Sequence, residues 1–476
     1  MGSRAFPMTK RAGFSPRGGR GGKSVALFRK PNVDDLDLLR HPLGDLLATF
    51  SKSDLESATA SLSSSPAIQK CQCVGSYNWV DAKSPTITVP GKPPAWTPPN
   101  EARRLQEDSG QYYRDPNAAR FPEYPTEPAV HAIFQTNPDF TTSDVDIFGC
   151  GSTMGNLMRF VSSVDIPFRF SVEVIGNTVF FIRKQNDPRE TIQGIRGFGH
   201  TFPEAYTTWG EDLKGSESHQ RLIQYEFDGL KCVVRFECDG YIMDQEQTFK
   251  ENTSSKMKQE PDVNSLLESF DNTTVGMHNP SSNEPIAIRN GGAVVSQDAI
   301  FDLKTRSGRF RREVDLQDIY PVLWLKQVPN FIIAYHDGAG LFEDIRVQDH
   351  REGIRCWENE HKSQIRCFAA ILKKIIAVAQ QSDNKLLEVY SPRVNHLEVR
   401  EQHGEGSHAL PDALMAKWGI VEDEVDSVED PNESWDYYDN DDLGYGSDNF
   451  HDSDQEFPDF TACSADDCGY CGKCTY

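Results

Sequence analysis

Nowhere do the 476 residues hold eighteen apolar residues in succession, so no membrane-spanning helix is expected. The first thirty residues also lack the apolar stretch that a secretory signal requires. These two absences predict an intracellular chain, nuclear or cytoplasmic, with no membrane partner. Apolar residues make up only 37% of the chain, too few for all of it to pack into a core. Acids are absent from Met1 to Pro31, where eight Lys or Arg fall, and bases are absent from Val421 to Phe460, where sixteen Asp or Glu fall. The net charge of −23 is therefore weighted toward one tail, and a polyanionic ligand for the middle of the chain is not excluded. Eleven cysteines, an odd number in a chain without an export signal, are expected as reduced thiols, the last four set apart.

Three regions follow from this composition. Residues 1–32 form a basic tail, expected to be disordered, whose Arg17-Gly-Gly-Arg20-Gly-Gly-Lys23 is an RGG-like tract suited to RNA or to plain solvation. Residues 33–400 form the folded domain, with a disordered insertion at 246–284. Residues 401–476 form an acidic tail. It ends in Cys463, Cys468, Cys471 and Cys474, four thiols that suit tetrahedral Zn²⁺ and equally suit thiol exchange. A solubilising role is the simpler reading of that tail. A tail that occupies a phosphate-binding groove in cis is the sharper alternative.

Within the domain, the leucines between Asp34 and Phe50 predict a helix, and Ser51 to Pro66 reads as a linker. Cys71 to Trp79 reads as a strand, and Pro85 to Pro99 as an extended segment. Pro128 to Phe134 opens with proline as a short helix. Phe168–Glu173 and Thr178–Arg183 form a hairpin about Gly176-Asn177. Asp315 to Leu325 reads as a helix interrupted by Pro321, and Phe331 to Tyr335 as a buried strand. Asn290-Gly291-Gly292 is a turn. His361 to Gln380 is the strongest helix, with Ile365, Phe368, Ala369, Leu372, Ile376 and Ala379 on one face. A last strand covers Leu387 to Tyr390.

The chemistry concentrates on two strands. Leu230 to Tyr241 alternates Cys232, Val234, Phe236 and Cys238 on one face with Lys231, Val233, Arg235, Glu237 and Asp239 on the other. Glu237 and Asp239 stand ~6.5–7 Å apart at Cα, close enough to share a hard cation. In Ile300 to Thr305, Asp302 and Lys304 share a face opposite Phe301 and Leu303. Either strand alone reads as a half-solvated sheet face. Together, three acids and a lysine are the parts of a metal-dependent phosphodiester-cleaving site. Glu204, just after Pro203, stands in a first helical turn. The glycines between Asp144 and Leu157 are not followed by Gly-Lys-Ser/Thr, which argues against a nucleotide loop.

These residues resemble the DXO family of decapping exoribonucleases over residues 144–380. Gly199-His-Thr-Phe-Pro-Glu204 is similar to that family's Gly-Tyr-Lys-Phe-Glu, with one inserted residue. Glu237-Cys238-Asp239 is similar to its Glu-x-Asp, and Asp302-Leu303-Lys304-Thr305 to its Glu-Leu-Lys-Thr. Val328-Pro329 through Asp337 and Gly340 is similar to its Ile-Pro-Lys-Ile…Phe-Arg-Asp…Gly strand. The resemblance implies an α+β fold with a mixed, largely antiparallel β-sheet core flanked by helices, PD-(D/E)XK-like. It implies an RNA 5′-end hydrolase of the decapping, pyrophosphohydrolase or 5′–3′ exoribonuclease type, and a 5′–3′ exoribonuclease as partner. Glu204, Glu237, Asp239 and Asp302 would hold Mg²⁺ or Mn²⁺, with Lys304, Glu237 and Asp239 as the catalytic set and Lys304 orienting or activating the attacking water. The family's Trp-Arg-Gly falls on Gly151-Ser152-Thr153, so its arginine is missing, and its active-site Gln falls on Val322. A catalytically degenerate RNA- or protein-binding module on the same fold is the alternative. The chain is also similar to fungal proteins labelled geranylgeranyl pyrophosphate synthase. That chemistry needs two Asp-Asp-x-x-Asp motifs, which neither Asp34-Asp35 nor Asp441-Asp442 completes.

Overall fold

The alternation about Gly176-Asn177 folds as a hairpin. Strands β6 (Phe168–Ile175) and β7 (Thr178–Arg183) pair antiparallel with Ile175 opposite Thr178, and Gly176 takes φ +57°. In this computed structural model the residues described are 38–60, 65–109, 112–121, 123–184, 186–192, 197–243, 285–308 and 313–419. The arginine–glycine tail, the 246–284 insertion and the four-cysteine tail lie outside them. All described residues fall in one unit, Leu36–Tyr476.

The hairpin belongs to an eleven-stranded sheet. Its spatial order runs β1 (Leu46–Phe50), β17 (His396–Glu401), β16 (Leu386–Arg393), β6, β7, β5 (Ile147–Cys150) and β10 (Leu230–Glu237). It continues through β9 (Ser216–Phe227), β2 (Ile68–Val80), β3 (Thr86–Gly91) and β12 (Ala287–Gly292). A second sheet of six strands is ordered β15 (Phe342–Asp349), β14 (Asn330–His336), β13 (Ile300–Ser307), β11 (Gly240–Tyr241), β4 (Ala95–Trp96) and β8 (Thr207–Thr208). Most pairings are antiparallel. The parallel ones include β5 with β10 and β13 with β14. The architecture is thus the mixed, largely antiparallel sheet core flanked by helices that was expected.

Helices cover both faces of the larger sheet. On one face lies α3 (Glu127–Thr136), which buries Ala129, Val130, Ala132 and Ile133 against Leu222 and Val233. On the other lie α4 (Gly151–Val161), α6 (Leu316–Lys326) and α8 (Lys362–Gln381), packed over Ile223, Cys232, Val234 and Phe236. Every residue of the expected α8 stripe is buried. Shorter helices are α1 (Lys52–Thr59), α2 (Pro116–Arg120), α5 (Thr201–Tyr206), α7 (Arg351–Glu360) and α9 (Asp412–Trp418). Ser51 and Asp115 cap α1 and α2 through their side chains.

Several local expectations are overturned by tertiary contacts. The leucine-rich stretch before Phe50 is not a helix in its described part, because Arg169 holds it extended. That guanidinium pairs with the buried Glu388 at 2.6 Å and donates to the carbonyls of His41 and Pro42 at 2.6 and 3.1 Å. Leu46–Phe50 then adds an edge strand to β17. The expected linker contains α1, started by the Ser51 cap. The expected turn at 290–292 ends a strand instead: β12 runs parallel to β3, where a Cβ on Gly292 would lie 2.4 Å from Gly91. Part of the Pro85–Pro99 segment is paired as β3 and β4.

The packed body also continues past Arg400. Trp418 on α9 is 2% exposed, stacked edge-on against Phe148 and Phe180 at 5.6 and 5.3 Å, and its indole donates to Thr178 Oγ1 at 2.9 Å. The seven-residue helix that carries it is too short to give a periodic signal.

Candidate active-site cavity

Strand β10 is central and buried on both faces from Cys232 to Phe236, which corrects the expectation of a solvated polar face up to Glu237, exposed at the strand's end. Val233 meets α3, and Arg235 is 9% exposed, donating to the Pro125 carbonyl at 3.0 Å. The Tyr77 and Asp115 side chains beside it outweigh burial and hold Arg235 firmly protonated. A charge survives in a central strand only when it is paired this way.

The chain leaves the larger sheet after Glu237 and enters the smaller one at Gly240, which pairs with Phe301 of β13. A Cβ on Gly240 would lie 2.4 Å from the Phe301 ring and 2.7 Å from the Pro94 carbonyl, so the crossing needs glycine. Asp239 sits in the crossing itself, between the sheets. The Leu303 N–H donates to its Oδ2 at 2.6 Å, which ties the crossing to β13. On β13, Phe301 and Leu303 face the aromatic cluster of Phe202, Tyr206 and Phe342, and the opposite face carries Asp302 and Lys304, 0% and 4% exposed.

A cavity of about 710 Å³ opens at this junction. Glu204, Glu237, Asp239 and Lys304 all line it, and Asp302 lies behind the wall, within reach of the lining residue Lys326. Residues far apart in the chain are thereby brought to one space. Glu204, in the first turn of α5, is exposed at the wall.

Charge within the cavity is strongly coupled. Burial, then the neighbouring Asp302, push the Asp239 carboxyl up to about 7, against the pull of Lys326. Burial also raises Glu237, although Lys326 and His200 oppose it. Burial alone would lower the Lys326 ammonium, but Asp302 and Asp239 outweigh it and hold its pKa above the usual range. Asp239 therefore keeps a proton in the native state that the unfolded chain, with an aspartate near 3.9, has already lost. The unfolded state binds fewer protons between about pH 4 and 7, so this group makes the fold less stable as pH rises through that window. In metal-free buffer, Asp239→Asn should gain stability over wild type, by about 2–3 kcal/mol more at pH 8 than at pH 5. Urea denaturation at the two pH values checks this, and an equal gain at both would refute it.

Whether a divalent metal suits this cavity depends on the donors. Among the described residues, no three His, Cys, Asp or Glu side chains are gathered into a group that holds an ion as they stand. Lys326 Nζ lies 2.8 Å from Asp302 Oδ2. Asp302 Oδ1, however, is buried with no hydrogen-bond partner, and Asp239 resists ionisation beside it. The carboxylates thus carry an unmet demand for positive charge, of the oxygen type that Mg²⁺ or Mn²⁺ fits.

Other cavity residues escaped the sequence reading. Lys326 ends α6 and reads locally as a cation favoured at a helix C-terminus. Arg159 lines the cavity seven residues beyond Ser152 on α4, on the same helical face, so a guanidinium absent at 152 is present nearby. Val322, where a glutamine was sought, also lines the cavity, while Gln220, opposite Glu237 on β9, presents a buried amide Nε2 with no hydrogen-bond partner. Asp108 accepts from the backbone of His200 and Thr201 at 3.0 and 2.8 Å and lies 3.2 Å from His200 Nδ1, orienting that imidazole at the cavity. Nothing in their local sequence marks these residues, since each acquires its role from a partner in another element.

Fold and site define an α/β protein of two mixed sheets with a carboxylate–lysine cavity where the chain crosses between them. Its sequence matches, over residues 49–417, the family described as a domain of unknown function (DUF8563), and the chain belongs to that family. No curated protein matches it. Solved structures similar to it include S. pombe Rai1 in complex with 3′-FADP, at 11% identity and TM-score 0.47, covering 75% of this chain and 99% of that one. Candida albicans Rai1 in complex with pU5-Mn²⁺ is similar at 10% identity and TM-score 0.46, covering 75% and 96%. K. lactis Dxo1 in complex with manganese is similar at 7% identity and TM-score 0.43, covering 76% and 99%.

Proposed function

We propose that this chain is a divalent-metal-dependent hydrolase of RNA 5′ ends, a divergent relative of the DXO enzymes with a PD-(D/E)XK-like centre. The observation that carries the reading is the convergence of Glu204, Glu237, Asp239 and Lys304, from three separate segments, on one cavity at the sheet junction. Its volume of about 710 Å³ is in the range of pockets that enclose most of a small ligand, enough for a terminal nucleotide. Arg159 and Arg183 in the wall suit phosphate oxygens. Glu237, Asp239 and Asp302 would hold Mg²⁺ or Mn²⁺, which supplies Lewis-acid stabilisation of charge on the phosphoryl group. Lys304, rigid on β13 and almost fully buried, orients the attacking water. The cation that Lys326 already places on Asp302 favours a second reading, a module on the same fold that binds RNA without cleaving it.

The test is an assay of the full chain with Mn²⁺ on 5′-triphosphate, capped and 5′-monophosphate RNAs, beside Glu237→Ala/Asp239→Ala. At least one RNA should be hydrolysed, and the double variant should lose about 10²-fold or more of that rate. Binding without turnover on all three RNAs would establish the second reading. Turnover that survives the double substitution would exclude this cavity as the site.

A further inference from the structure

We propose that Lys326 is a tethered competitor for the divalent ion: its ammonium occupies the cation position at Asp302 and Asp239 and sets how tightly the site takes a metal. The inference deepens the metal-dependent reading above and rests on it for the identity of the ion.

The geometry is specific. Asp302 is 0% exposed, so water cannot neutralise it, and its Oδ2 accepts from Lys326 Nζ at 2.8 Å. Its other oxygen, Oδ1, is buried with no hydrogen-bond partner. One ammonium therefore serves a carboxylate that has a second lone-pair set to offer, beside Asp239 in the same charge cluster. A cation–carboxylate pair in a buried site holds its charge balance locally, and removal of one partner leaves the other uncompensated. A divalent ion delivered to the same oxygens would face the ammonium as a like charge at close range.

Lys326 is also placed to move aside. It ends α6, where Gln327 turns into the left-handed region at φ 52° and stops the helix. Its side chain lines the cavity, with Nζ 5.8 Å from the centre of the Phe236 ring. That ring face offers the ammonium a second resting place once Asp302 is taken. Lys304, by contrast, is carried by the same strand as Asp302 and has no such freedom.

The experiment measures Mn²⁺ binding without RNA, by calorimetry and by the electron paramagnetic resonance of free Mn²⁺. It compares wild type, Lys326→Gln, Lys326→Met and Lys326→Gln/Asp302→Asn. The glutamine amide would retain a donor for Asp302, and methionine keeps the side-chain volume. Both single variants should bind Mn²⁺ about 10-fold tighter than wild type or better, and adding Asp302→Asn should abolish the gain. Equal or weaker affinity in both would overturn the proposal, because Lys326 would then support the site rather than compete for it. A single variant that folds only when Mn²⁺ is present supports it, since the ion has replaced the ammonium. Failure to fold with and without Mn²⁺ overturns it. Tighter Mn²⁺ binding with no RNA turnover in any form would remove the hydrolase reading and leave this one standing.

Discussion

Lys304→Met should lower RNA 5′-end turnover by about 10²–10⁴-fold while changing RNA affinity by no more than about 3-fold. The split follows from where the residue sits. Lys304 is 4% exposed, fixed on a strand whose register is set by parallel pairing with β14, Lys304 opposite Ile333. A methionine fills the same volume, so the sheet and the cavity wall persist. On the proposed hydrolase reading, what is lost is a positioned ammonium beside the reacting phosphoryl group, whose value would lie mainly in the transition state. Such a loss appears in kcat rather than in KM. Single-turnover kinetics with equilibrium RNA binding separate the two. A variant that binds RNA 10-fold or more weakly, with kcat preserved, would make Lys304 a substrate-binding residue instead.

The second large effect concerns the end of the domain. Trp418→Ala should cost about 3–5 kcal/mol of stability, the usual range for deleting a buried large aromatic. The indole fills the core between Phe134, Phe140, Phe148 and Phe180, and the Thr142 hydroxyl donates to the Trp418 carbonyl at 2.7 Å. Thr178→Val isolates the indole hydrogen bond and should cost about 1 kcal/mol. Urea denaturation of both variants tests whether α9 is part of the cooperative fold. A loss below about 1 kcal/mol for Trp418→Ala would show that it only rests on the surface.

Elements with a strong period are legible in the amino-acid order alone. The α8 stripe repeats along the whole helix, and the Gly176-Asn177 hairpin is bracketed by clean alternation, so each element is specified by residues within itself. The segments that changed type are those whose conformation is dictated from outside. Leu46–Phe50 is apolar enough for a helix but lies where Arg169 and β17 impose an extended path. Strand β10 alternates in a way that suggests one solvated face, yet α3 and the Arg235 partners cover that face.

The site divides the same way. Asp302 and Lys304 were identifiable because strand parity puts them on one face, and that geometry is local; Glu237 and Asp239 stood out at the same spacing, although the strand ends at Glu237 and Asp239 lies just beyond it. The sequence by itself thus determined α3, α6 and α8, the hairpin, the acid–lysine pattern and the charge segregation of the two tails. Only the tertiary structure decided that the two strands belong to different sheets, that Asp239 occupies the crossing between them, and that Lys326 at the end of α6 meets Asp302. The physical reason is that a buried charge takes whatever partner the packing brings within about 3 Å, and that distance is set by the meeting of sheets and helices rather than by neighbours in the chain.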